Sequence, residues 1–199
     1  MAYQMACEQF LKRDYEEMAL NTNAHFDQAQ NRIIILFMNS NYFIDCATGE
    51  IASDHVDQEI LITVKILIMH YLLHAKWQPL SGKQISFREI PAGGAIYYEP
   101  FNKRAIVPLI KTFASQIEEL YTVSQKLGGH AESYGSASVS INILPLVPVT
   151  YVVWQGDEEV AHSGTILFDD TITNYLPVED IVLAASFGIY EMIKLLKQV

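Results

Sequence analysis

The sequence predicts an α+β domain with a largely antiparallel sheet, built from two hairpin units packed around a central buried helix with further long helices. Three observations carry this. Residues 60 to 73 form the most apolar stretch of the chain, interrupted only by Thr63, Lys65 and His70, and a helix apolar on nearly every side belongs inside a domain. Runs of β-branched residues before and after it are joined by short turn sequences rather than by single-strand crossovers. No linker or low-complexity stretch divides the 199 residues, which suit one domain.

The elements follow in order. Met5, Phe10, Leu11, Met18 and Leu20 recur at helical spacing and predict one amphipathic helix from Tyr3 to Asn21. Arg32 to Met38 and Tyr42 to Cys46 read as strands, with Asn39-Ser40-Asn41 as the turn of a hairpin. The central helix comes next. Beyond it, Trp77 to Ile90 turns the chain and sends it on extended. Ala92-Gly93-Gly94-Ala95 lacks the lysine and the glycine spacing of a phosphate cradle and reads as a turn. Ile106, Leu109, Phe113, Ile117, Leu120 and Leu127 predict a long helix over Lys103 to Leu127, with Pro108 marking a late start or a kink and Gly128-Gly129 the stop. Three strands are expected from Ala137 to Phe168, with Pro145 and Pro148 between two of them because proline removes a ladder donor. Leu176-Pro177-Val178-Glu179-Asp180 opens the last helix, its acids complementing the positive helix end.

Composition restricts function. A net charge of −10 and the lack of a basic run argue against a nucleic-acid partner. Only 18% of residues are charged, against roughly 25% in an average domain. A partly apolar surface follows, and with it a protein partner or a homo-oligomer. Two cysteines, Cys7 and Cys46, are too few for a disulfide framework or a four-cysteine cluster within the chain. The acidic first twenty residues do not resemble a signal peptide, and the apolar stretch is too short to span a bilayer, so the expectation is a cytoplasmic protein without a membrane span.

Several residues are candidates for chemistry. At 100° per residue Glu59, Thr63, His70 and His74 share one stripe of the central helix, with Lys65 opposite. Histidines at i and i+4 can ligate a metal from one helix; the stripe equally reads as the helix's wetted edge. Arg88-Glu89 follows a short extended piece, where an arginine can grip a carboxylate or phosphate, although an internal pair with Asp169 or Asp157 is the simpler expectation. Trp154 stands before the acidic turn Asp157-Glu158-Glu159, which suits either acid–base work or plain solvation. Asp169-Asp170 closes a strand and can bind a hard cation or cap a turn. No residue pattern indicates a cofactor, and Cys46 reads as a core residue.

His70-Tyr71-Leu72-Leu73, Pro79-Leu80-Ser81-Gly82-Lys83, Ile85 to Glu89, Leu144 to Pro148, Trp154 with Gly156 to Glu159, Ile166 to Asp169 and Tyr175 to Asp180 occur in this order. The set resembles an uncharacterised prokaryotic family known only as a domain of unknown function. Its members come mostly from anaerobes, and some are joined to or found near iron–sulfur domains of the corrinoid iron–sulfur protein kind. The resemblance implies no activity. It implies an accessory or binding module beside a redox or corrinoid partner. A small metal-dependent or acid–base enzyme, with a cleft beside the central helix, is the alternative. Gly135-Ser136 stands where members tend to carry Gly-Asp, and the chain has no cluster-binding cysteines of its own.

Overall fold

Thirteen residues, Ile62–His74, form the helix on which the rest is assembled (α3). The computed structural model describes residues 2–55, 59–91 and 93–198. Val64, Leu67, Ile68, Met69, Tyr71 and Leu72 of α3 are buried, as its near-continuous apolar sequence requires. Its first turn is different: Leu61 and Ile62 are 62% and 55% exposed.

Before α3, the chain makes two helices and a four-stranded antiparallel meander. The helices are α1 (Ala2–Phe10) and α2 (Tyr15–Thr22), not the single helix expected from periodicity. The break lies at Asp14, whose carboxylate accepts from the amides of Glu16 and Glu17 and so restarts the chain as an N-cap. The meander is β1 (His25–Asp27), β2 (Arg32–Phe37), β3 (Ser40–Asp45) and β4 (Ile51–Ser53), in that spatial order. Met38 and Asn39 turn the β2–β3 hairpin with φ of 46° and 66°, the mirror-image turn that matches strand twist.

After α3 an irregular segment leads to β5 (Gln84–Ser86). The helix expected over Lys103 to Leu127 is divided into α4 (Tyr98–Phe101), a π-turn (Asn102–Ile106), α5 (Val107–Phe113) and α6 (Ile117–Lys126). The wider π-turn, in which Val107 bonds back to Asn102, accommodates the ring of Pro108 without a helix end. Gln116, at φ −139° and ψ 64°, separates α5 from α6. Gly93 and Gly94 do lie in a turn; Ala92 is outside the described residues. The Gly94 amide donates to Ile90, and any side chain there would strike the Phe87 carbonyl, so this turn serves packing.

The second sheet has the order β5-β9-β8-β7-β6, all antiparallel, with β6 (His130–Ala131), β7 (Ala137–Leu144), β8 (Val147–Trp154) and β9 (Ser163–Asp169). Pro145 lies in the β7–β8 turn as expected, but Pro148 falls within β8. It pairs with Asn142 where a register shift leaves the missing N–H uncostly. The final helix α7 (Val178–Leu196) covers the sheet, and its Gly188 meets the Tyr151 ring. One continuous core joins both sheets to α3 and α7. The Met38 amide donates across to the Ile143 carbonyl at 3.1 Å, linking the sheets.

Candidate functional site

His70 points from α3 to the first turn of α7. Its Nδ1 lies 2.6 Å from Oδ2 of Asp180, with side chains 30% and 6% exposed. Asp180 sits in the first turn of α7, where the helix dipole favours a carboxylate. This fixes the imidazole with Nδ1 toward Asp180 and Nε2 left for another partner. The hydrogen bond to Asp180 raises the His70 pKa above its ordinary value, against the opposing effect of burial. His74 follows one turn later, exposed, its ring edge-to-face with His70 at a centroid distance of 5.9 Å.

A pH dependence follows. A raised folded-state pKa means that the His70–Asp180 contribution is complete below the unfolded value of about 6.5 and is lost as pH rises through the shifted value. Thermal melts of the parent chain should therefore show a falling midpoint from pH 6 to pH 9. In Asp180→Asn that decline should flatten; an unchanged slope would dissociate the trend from this pair.

The rest of the predicted stripe does not join His70. About 12 Å of helix separates Ile62 from His70, and Glu59 precedes α3 altogether. Glu59 instead borders a cleft of about 350 Å³ at the start of α3. Phe37, Val64, Leu127 and Phe187 give this cleft apolar walls, and Ser40, Tyr42, His55, Lys126, Glu191 and Lys194 are among its polar groups. The Ser40 hydroxyl is 2.9 Å from His55 Nε2. The Asp54 carboxylate approaches the same nitrogen at 3.7 Å, so it does not orient the ring as a third catalytic member would. Thr63 is exposed, and Lys65 lies over the Tyr3 ring.

Elsewhere the predicted groups are committed to structure. Asp169 is 2% exposed, and its carboxylate accepts from the amides of Ser81, Gly82 and Thr171 and from the hydroxyls of Ser81 and Thr171. Burial pushes its pKa up, but these donors outweigh it and hold the group below the usual range. Asp169 is thereby a loop anchor and has little capacity left for a cation. Arg88 does not pair with it or with Asp157: the guanidinium stacks 3.8 Å over the Tyr98 ring. Glu89 closes a capping box on Ser86. Asp157 accepts from the amides of Glu159 and Val160, an Asx turn, with Trp154 42% exposed beside it. Burial raises the Cys46 thiol to about 11, which removes it as a nucleophile. Among the described residues no group of three or more His, Cys, Asp or Glu side chains is arranged to hold a metal.

Sequence reasoning missed Asp180 as the partner of His70, and Ser40, Tyr42, His55 and Glu191 as cleft residues. Asp180 carried a signal only as an acid at a helix start, and nothing along the chain couples it to a residue 110 positions earlier. What fold and geometry define together is an α+β module built on one helix, with a ligand-sized cleft near one end and an aspartate-held histidine towards the other. A family model described as a domain of unknown function (DUF3786) matches residues 14–190, and the chain belongs to that family. No curated protein and no solved structure matches it. No helix among the described residues is long and apolar enough to cross a membrane.

Proposed function

We propose that this chain is a cytoplasmic accessory module of anaerobic prokaryotic metabolism that binds a redox or corrinoid iron–sulfur partner. The observation that supports it is the cleft at the start of α3. Its mouth is bordered by Leu61, with Ile62 beside it, both more than half exposed at the start of a helix whose middle is buried. Exposed apolar side chains beside a concave surface suit a protein partner. The reactive groups at Asp169, Glu89 and Asp157 support the same reading, since each is occupied in holding backbone. With no cluster-binding cysteines in the chain, iron–sulfur chemistry belongs to the partner.

The test is calorimetric titration of the full chain with a purified corrinoid iron–sulfur protein from the same organism. Binding at roughly micromolar Kd is expected, weakened about tenfold or more by the double variant Leu61→Glu/Ile62→Glu. No binding at about 100 µM, or equal binding by the double variant, overturns the proposal. Light scattering on the chain alone reports whether a homo-oligomer uses the same surface. A second reading, a small acid–base enzyme, is favoured by the His70–Asp180 pair, which holds one imidazole nitrogen and leaves the other to meet a substrate.

A further inference from the structure

Two histidines one turn apart at the C-terminal end of α3 stand in a geometry that wetting alone does not require. His70 is not a freely rotating surface residue. Its Nδ1 is tied at 2.6 Å to a carboxylate that is itself 6% exposed and held by the first turn of α7. A carboxylate behind Nδ1 favours, in the neutral imidazole, the tautomer that leaves the lone pair on Nε2; metal-bound histidines are oriented in this way. His74 ends α3 and is exposed, with its ring perpendicular to that of His70 at 5.9 Å between centroids. With a metal–nitrogen bond of about 2 Å, an ion shared by two imidazoles holds their ring centres roughly 5 to 6 Å apart. A cation there also lies at the negative end of the α3 dipole.

We propose that His70 and His74 form a two-histidine site for a divalent first-row metal ion, with Asp180 as the positioning residue behind His70. The remaining coordination positions are open to water or to a group from outside the chain, because no third His, Cys, Asp or Glu joins the pair among the described residues. Imidazole donors favour copper, nickel and zinc over magnesium or calcium. The small cleft beside His74, lined by Arg13, Asp14, Glu17 and Lys76, balances two basic against two acidic side chains. Arg13 is already engaged with the Leu73 carbonyl. The proposal is independent of the partner reading, since it concerns the opposite end of α3.

The experiment is calorimetric titration of the untagged full chain with zinc chloride, and separately with nickel chloride, at pH 7.5. One saturable site in the micromolar range is expected. His74→Ala is the decisive variant, because His74 is exposed and its loss should leave the apo fold, checked by near-ultraviolet dichroism, intact. It should bind at least about tenfold more weakly, and Asp180→Asn should weaken binding by about tenfold while leaving His74 in place. His162→Ala and His130→Ala, at exposed positions elsewhere, should bind like the parent chain. Unchanged affinity in His74→Ala, or no saturable binding up to about 100 µM of either metal, overturns the site.

Discussion

Replacing Asp169 with alanine is expected to destabilise the protein by about 3–5 kcal/mol, the largest effect among the acidic residues. The reason is local and countable. The carboxylate lies at the end of β9 and receives the Ser81 amide at 3.2 Å, the Gly82 amide at 2.8 Å and the Thr171 amide at 3.1 Å, as well as hydroxyls from Ser81 and Thr171. Alanine leaves these donors facing a small buried space. Each orphaned donor costs about 1–3 kcal/mol, less where water reaches the exposed Ser81 side. The Lys83–Asp170 ion pair nearby is too exposed to compensate. Chemical denaturation should show the loss directly. Hydrogen exchange should accelerate first at Ser81 and Gly82 and then along β5, which is docked on β9 next to that loop. A loss under about 1 kcal/mol would mean that the loop does not depend on this anchor.

Gly188→Ala should cost about 2–4 kcal/mol, although the same change on an exposed helix face stabilises by about 1 kcal/mol. An added methyl at Gly188 would overlap the Tyr151 hydroxyl and come within 2.8 Å of Cζ and 3.0 Å of Ile143 Cδ1. Tyr151 is fully buried and donates to the Ala185 carbonyl of the same helix at 3.0 Å, so it has nowhere to swing. Tyr151→Phe should lose about 1 kcal/mol with that hydrogen bond. In the double variant the two losses should not add, with a favourable coupling of about 1 kcal/mol or more, since removing the oxygen relieves the worst overlap. Strict additivity would place the strain elsewhere.

The segments that sequence reads well are those in which one periodicity runs long enough to dominate. The apolar stretch 60 to 73 becomes α3, Ile33 to Phe37 becomes β2 with Ile33, Ile35 and Phe37 on its buried face, and Val149 to Val153 becomes the centre of the second sheet. Pro177, Glu179 and Asp180 mark the start of α7 as capping chemistry requires. Periodicity misleads where a helix is interrupted but resumes in phase. The Asp14 cap breaks the first helix while Phe10 and Met18 both remain buried, and the capping signal of Asp14 with Glu17 was available in the letters. The π-turn before Pro108 had no such signal, because inserting one residue in a turn leaves the apolar spacing nearly unchanged. β1, β4 and β6, of two or three residues each, are too short for alternation to register.

The candidate site was legible by half. His70 and His74 stand out as neighbours on one helix face, because that relation is local. Asp180 does not, because its relation to His70 exists only after α3 and α7 have packed. The cleft is similarly assembled from the β2–β3 turn, the approach to α3 and the ends of α6 and α7. Glu59 alone of its ionisable groups was singled out in advance. Asp169 was visible as an acid at a strand end, but only its Thr171 donors are local; those of Ser81 and Gly82 come from a loop almost ninety positions earlier.

The edge strand β5 reaches β9 from the middle of the chain, with Ile85 opposite Phe168. During synthesis, α3 leaves the ribosome long before the strands and the closing helix that shelter it. At about 5–20 residues per second, its greasy flank waits roughly 6 to 25 seconds for residue 192 to be made. The nascent protein therefore passes through a window in which α1 and α2 are present but the flank of α3 that meets α7 lies uncovered.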